Sequence, residues 1–133
     1  MLNMQQHNIL EGILDSTFGR PSMQNLNKTS HALRHKIGTA SDGKTILEIR
    51  YERGVNFNPL VGLDNQKKAL DKDSFEAIGK KISETKKIFR EDAETSINIK
   101  SISDPQSEIT VISMNRDLVR ARYRATLIYE ISV

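Results

Sequence analysis

The chain contains no cysteine and no tryptophan, and only 5% of its 133 residues are aromatic. The absence of cysteine excludes disulfide bridges, thiolate zinc sites and cysteine nucleophiles. It also favours a cytosolic or virion protein over a small secreted one. Because pockets for small molecules are lined mainly by apolar and aromatic side chains, the shortage of aromatic residues disfavours such a pocket.

Long hydrophobic runs and a strong excess of one charge are also lacking. No apolar run exceeds four residues, so we expect no transmembrane helix. Residues 1–15 have no basic segment followed by an apolar stretch, so we expect no signal peptide. The net charge is only +3, which excludes a histone-like polycation. The length fits one domain, which we divide into a helix with a polar arm (1–30) and an α+β core (31–133).

The N-terminal segment is predicted to form a short amphipathic helix over residues 3–15. Its apolar residues recur at helical spacing, and they are Ile9, Leu10, Ile13 and Leu14. A helix of this length is not stable alone. Its apolar face must therefore lie either on the core or on a partner protein, which makes these four residues candidates for partner binding.

Two alternating segments and a second helix follow. Residues 33–37 and 47–51 alternate between apolar and polar on either side of an Asp-Gly turn, which predicts a β-hairpin. Residues 54–65 are predicted to be an extended connection. The spacing of apolar residues then predicts a long helix over 72–92, and we expect Asp71 or Asp73 to cap its N-terminus.

The remainder predicts three strands. They cover residues 96–103, 108–114 and 118–133, with a turn at Asp104-Pro105 between the first two. In the last segment the odd positions are apolar and most even positions are polar, so one face is buried. A strand this long is expected to contain a bend or bulge. The predicted fold class is α+β, an antiparallel or mixed sheet of about five strands with one long and one short helix.

A row of arginines is the most specific polar feature. Strand alternation places Arg120, Arg122 and Arg124 on the solvent-facing side of the last strand, and Arg116 lies in the turn before it. Together with Arg50 they form a candidate site for phosphates or for acidic groups of a partner. The alternative is that Glu48, Glu52 or Glu108 on neighbouring strands neutralises them.

No other constellation predicts chemistry. His31 and His35 are four residues apart, but their segment alternates like a strand and lacks further ligands, so we expect no metal site. No nucleophile with a base and no carboxylate pair stands out. We therefore predict neither an enzyme nor a bound cofactor.

Residues 45–131 resemble the lysozyme-like baseplate wedge proteins that initiate sheath assembly in contractile phage tails. The resemblance is carried by Arg53–Gly62, which reads RGVNFNPLVG, then a helix, then INIKSI at 97–102. The family's acidic-Pro-Arg signature is replaced by Arg90-Glu91-Asp92. The resemblance implies a small non-enzymatic virion subunit, assembled in the host cytoplasm, that binds neighbouring virion proteins in a homo- or hetero-oligomeric assembly and not a membrane.

The leading hypothesis is therefore a structural or assembly protein of a phage tail, baseplate or neck. It would act through a strand edge, the arginine face and the N-terminal helix. The alternative is a small cytoplasmic nucleic-acid-binding module whose arginines contact phosphates. Because the alternation directs Tyr51, Tyr123 and Tyr129 toward the core, the sequence predicts no aromatic platform for stacking bases.

Overall fold

A computed structural model describes residues 2–18 and 31–133 of the chain. The predicted polar arm, residues 19–30, falls outside them. Two α-helices, α1 (Met4–Phe18) and α2 (Leu63–Ala93), accompany five strands: β1 (His31–Thr39), β2 (Thr45–Phe57), β3 (Asn98–Ser101), β4 (Gln106–Met114) and β5 (Val119–Ser132).

Helix α1 begins with a capping box and reaches Phe18, three residues beyond the predicted range of 3–15. The Asn3 side chain accepts a hydrogen bond from the Gln6 backbone N–H at 2.8 Å, and the Gln6 side chain accepts one from the Asn3 N–H at 2.9 Å. This exchange satisfies two donors that a helix start leaves free. The buried face consists of Leu10, Ile13, Leu14 and Phe18, so α1 belongs to the hydrophobic core.

The predicted hairpin is present and longer than expected. Strands β1 and β2 pair antiparallel from His31 opposite Arg53 to Thr39 opposite Thr45. Strand β2 then continues to Phe57, because its partner β5 keeps pairing with it over that length.

The prediction of an extended connection over 54–65 is wrong. After β2, a short 3-10 helix spans Pro59–Val61, with the Asn58 side chain accepting a hydrogen bond from the Leu60 N–H at 2.9 Å. Helix α2 starts at Leu63, after Gly62 at a φ of 81°, well before the predicted residue 72. The left-handed backbone at Gly62 redirects the chain without the steric strain that a side chain would add.

The predicted turn at Asp104-Pro105 is not a chain reversal. Strands β3 and β4 both pair antiparallel with β5, so they run in the same direction along one edge of it. Ser101 lies opposite Tyr129 and Gln106 lies opposite Thr126. The four residues 102–105 therefore lie opposite only two residues of β5, 127–128. They form an insertion between two strands that run in the same direction, and they do not reverse the chain.

The expected bulge is also displaced. We predicted a bend or bulge in the last strand, but the register shift lies in β4, between Val111 and Ser113. There Val111 faces Ala121 and Ser113 faces Arg120, so Ile112 is the additional residue. Strand β5 stays regular because it is the central strand, paired on both sides.

The fold is α+β, as predicted. The sheet has the order β1-β2-β5-β3, with β4 also beside β5. Both helices cover its inner face, where the buried odd-numbered side chains of β5 lie. The even-numbered side chains form the opposite, outer face. Among the described residues, no helix combines the length and apolarity needed to cross a membrane.

Candidate functional site

The arginine row lies on the outer face, in the middle of the sheet. Arg120 and Arg124 are exposed and Arg122 is half-buried, whereas the intervening Ala121 and Tyr123 are fully buried. Strand periodicity is responsible for this arrangement, because neighbouring side chains of a strand point to opposite faces.

Part of the row is neutralised within the chain. Arg124 lies between Glu52 of β2 and Glu108 of β4 in the register, and its Nε is 3.3 Å from Glu52 Oε1. On β2, Arg50 Nε donates to Glu48 Oε1 at 2.7 Å. For Arg124 the structure therefore shows the cross-strand carboxylate that the sequence allowed as an alternative, whereas Arg50 pairs with Glu48 of its own strand.

Arg120 and Arg122, the other two arginines of the row, have no such carboxylate partner among the described residues. Arg122 lies between Gly54 and Thr110 in the register, and no carboxylate of the described part of the chain forms an ion pair with Arg122 or Arg120. Arg120 is flanked by Asn56 and Ser113. The two guanidiniums are therefore available to an outside anion.

Arg116 lies in the turn between β4 and β5 and is a third arginine without an ion pair to the described residues. It is exposed, and the turn around it is held by Asn115, whose side chain accepts hydrogen bonds from the backbone N–H groups of Asp117 and Leu118, both at 2.9 Å. Arg116, Arg120 and Arg122 thus lie at the same end of β5, and we call them the free arginines.

The outer face as a whole is positive. Its register positions carry seven cations and four carboxylates, an excess of three. The cations are Arg34, Lys36, Arg50, Lys100, Arg120, Arg122 and Arg124, and the carboxylates are Glu48, Glu52, Glu108 and Glu130. A shallow depression of about 360 Å³ is lined by Arg50 and Arg124 but also by Glu52 and Glu108. Its charges balance, so it does not favour an anion.

Exposed apolar side chains gather at the same end of the sheet as the free arginines. Phe57 faces Val119 in the register, so the 3-10 helix after β2 and the β4–β5 turn share that end. Leu60 is 93% exposed, Met114 67% and Ile112 59%. Val61, Leu63, Val111 and Leu118 are exposed there as well. We call these seven residues the apolar end.

Sequence reasoning missed a polar cluster on the inner face. Asp71 was expected to cap α2, but it lies inside the helix and accepts a hydrogen bond from the Tyr123 hydroxyl at 2.5 Å. The buried Ser74 Oγ lies 3.1 Å from the same hydroxyl, and Lys67 Nζ is 3.2 Å from Asp71 Oδ2. The cluster joins α2 to β5. Its only sequence signal was the inward direction of Tyr123.

The pKa values of this cluster follow from its contacts. Burial alone would raise the pKa of Asp71, but hydrogen bonds from Ser107, Tyr123 and Lys67 outweigh it and hold the pKa below 3.8. Burial and the adjacent Asp71 carboxylate raise the pKa of the Tyr123 hydroxyl. Asp71 is therefore charged and Tyr123 protonated at neutral pH, which suits a structural link.

The candidate residues of α1 lie on the core. Leu10, Ile13 and Leu14 are buried, and Ile9 is half-buried against the same core. Of the two locations that the sequence left open, the structure shows the core. Partner binding by the three buried residues would require α1 to leave it.

Nearby, His35 Nε2 lies 3.0 Å from Asp15 Oδ1 of α1. The side chain of His31, the other histidine of the spaced pair, is outside the described part. Within residues 2–18 and 31–133, no three His, Asp or Glu side chains form a group able to hold a metal ion.

Comparisons with known proteins add no family. No protein-family model matches the chain, and neither the curated proteins nor the solved structures contain a match.

Proposed function

We propose that this chain is a non-enzymatic structural or assembly protein of a phage virion, located in the tail, baseplate or neck and acting through protein–protein contacts. One observation carries the proposal: the apolar end and the free arginines occupy the same end of the sheet. An apolar centre with arginines beside it is the composition that protein interfaces favour.

The energetics support a protein partner. Side chains as exposed as Leu60, Ile112 and Met114 gain about 1.5–3 kcal/mol each when fully buried. An arginine that has no carboxylate partner in its own chain makes binding specific for a partner protein that supplies one. A membrane offers no such shaped set of carboxylates, and we include no membrane or cofactor in the proposal.

The assignment to a virion comes from the resemblance to baseplate wedge proteins. The resemblance implies a strand, an extended aromatic-Pro-Gly segment, a helix and a closing antiparallel hairpin in that order. The fold contains the strand, the helix and the hairpin in this order, with a 3-10 helix inside the aromatic-Pro-Gly segment. This agreement supports the proposal, and the localisation we propose is the virion, reached by assembly in the host cytoplasm.

The test is affinity purification of the tagged chain from its native source, followed by mass spectrometry, with and without nuclease. We expect virion proteins to be recovered in both cases. R120Q/R122Q should reduce their recovery several-fold, whereas R50Q, which removes an exposed arginine that Glu48 already neutralises, should not. Recovery of no virion protein, or equal recovery with both variants, would contradict the proposal.

Nucleic-acid binding remains the second candidate because the outer face carries an excess of three positive charges. The three tyrosines lie on the inner side of their strands, so only phosphate contacts are expected. Each phosphate contact contributes about 0.9 to the slope of log K against log salt, so R120Q/R122Q should lower that slope by about 2. Recovery that disappears with nuclease would favour this candidate over the first.

A further inference from the structure

Strand β4 presents an open edge. It pairs with β5 on one side, and no strand of the described part of the chain pairs with the other. Every residue of β4 is exposed or half-buried. The backbone N–H and C=O groups on the open side therefore face solvent and can pair with another strand.

Strands β1 and β4, on opposite edges of the sheet, differ in composition. The exposed residues of β1 include Arg34, Lys36 and Gly38, which is how proteins discourage pairing at an edge. Strand β4 instead contains four consecutive β-branched residues, 109–112, and its only charge is Glu108. Branched side chains of this kind favour strand pairing.

The geometry of β4 defines where an added strand would lie. The irregularity at Ile112 leaves Gln106–Val111 in regular register with β5. On the inner side of this segment Ile109 is half-buried and Val111 is 38% exposed. Apolar residues of an added strand would cover both and would extend the core.

On the outer side, the register defines the charge that fits. Thr110 lies between the open edge and Arg122, and strands are about 4.8 Å apart. Because Thr110 is short, the long Arg122 side chain can lean over it toward a carboxylate on the added strand. Beside Glu108, by contrast, an acidic residue would be repelled.

We propose that the Gln106–Val111 edge is the docking site for a β-strand of a partner protein, and that this strand has apolar residues on its inner side and an acidic residue beside Thr110. The inference rests on the proposed function insofar as the partner is a protein. A second copy fits less well, because it would place two outer faces of the same positive charge side by side.

The experiment is amide hydrogen exchange of the full chain with a synthetic peptide at millimolar concentration. The peptide has nine residues, with threonine and valine alternating and the central threonine replaced by a single glutamate to lie beside Thr110, and a control peptide has lysine in place of that glutamate. We expect the glutamate peptide to slow exchange within 106–111 by about tenfold and the lysine peptide to have no effect. R122Q should abolish the protection, and R50Q should preserve it.

Two further peptides test backbone pairing directly. In each, alternate amides are N-methylated, on one edge of the peptide or on the other. Strand addition requires that one of the two lose binding and the other keep it. Protection elsewhere, no protection by the glutamate peptide, equal protection by both methylated peptides, or protection that rises with protein concentration alone would overturn the proposal.

These outcomes are separate from those of the affinity purification. If virion proteins are recovered while the 106–111 edge gains no protection, the docking site is wrong and the proposed function stands. If the edge is protected while no virion protein is recovered, the docking site stands and the proposed function is wrong.

Discussion

At the residue scale, the hydroxyl of Tyr123 links the sheet to the long helix. It donates to Asp71 at 2.5 Å and lies 3.1 Å from Ser74. Y123F removes the donor and leaves a partly buried carboxylate with fewer partners, so we expect a loss of about 1–3 kcal/mol in the free energy of unfolding. Urea denaturation measures this change.

The matched control is Y129F, since Tyr129 is half-buried on the same strand and its hydroxyl makes no hydrogen bond within the described part of the chain. Its effect should stay within about 0.5 kcal/mol. Equal effects of the two substitutions would mean that the hydroxyl of Tyr123 contributes nothing specific.

The same contact predicts a pH dependence. The pKa of Asp71 is lower in the folded chain than its ordinary value of 3.8, so near that pH the unfolded chain binds more protons. The stabilisation by Asp71 is therefore present above pH 3.8 and is lost as the pH falls through the folded pKa. Between pH 6 and pH 3 the free energy of unfolding should fall more for the wild type than for D71N. A larger fall for D71N would contradict the assignment.

Residue-scale contacts were only partly predictable. Alternation along β5 predicted that Tyr123 points inward and that the arginines point outward. It did not predict the role of Asp71, because an aspartate at the apparent start of an apolar helical stripe normally indicates a cap. The helix starts at Leu63, nine residues before the predicted residue 72, so the expected cap lies inside the helix and makes a tertiary contact.

At the element scale, two glycines of the α2 region should respond in opposite ways to alanine. Gly79 is an exposed residue inside α2, and an added Cβ there meets no atom within 4 Å. G79A should raise the free energy of unfolding by roughly 0.4–1 kcal/mol. G62A should lower it, because Gly62 has a φ of 81°. Urea midpoints of both variants would show this, and a destabilised G79A would contradict the helix assignment.

Helix α1 provides a second test at this scale. Leu14 has no exposed surface, so L14A should cost about 2–5 kcal/mol in the isolated chain. Met4, on the same helix, is 82% exposed, and M4A should change stability by less than about 0.5 kcal/mol. If L14A leaves the stability of the isolated chain unchanged and impairs only assembly, α1 serves a partner and not the core.

The elements differ in how clearly the sequence predicts them. The apolar stripe of α2 is strong from Ile78 to Phe89, where the helix covers the sheet, and its second half was predicted correctly. Its first turns carry Gln66, Lys67 and Lys68, so periodicity gave no signal there. The collinear arrangement of β3 and β4 was equally hidden, because Asp104-Pro105 is typical of a reversal and only pairing with β5 decides the direction.

At the scale of the whole molecule, the order of elements in the sequence predicted the fold class. It did not predict which arginines are neutralised and which are free. That separation depends on which residues face one another across β2, β5 and β4, and a single sequence does not specify the register. In the structure Glu52 faces Arg124 while Gly54 faces Arg122. The free arginines are thus a property of the assembled sheet.

This arrangement predicts that the arginines of β5 differ in their effect on stability. Arg120, Arg122 and Arg124 succeed one another at about 7 Å along β5, and only Arg124 has a carboxylate at 3.3 Å. Replacing the two others by glutamine retains much of the side-chain length and removes repulsion. The thermal midpoint of R120Q/R122Q should therefore equal or exceed that of the wild type in about 0.01 M salt, and the difference should vanish in about 1 M salt, where charges are screened.

R124Q is the matched variant, and it should lower the midpoint because Glu52 loses its partner. If R120Q/R122Q is instead less stable than the wild type, the free arginines contribute to the fold and their exposure needs no partner to explain it. If the double substitution R120Q/R122Q leaves stability unchanged or raises it, the chain has two positive charges that its own fold does not require. Such charges are expected where a surface is selected for binding, which is the role that we propose for this end of the sheet.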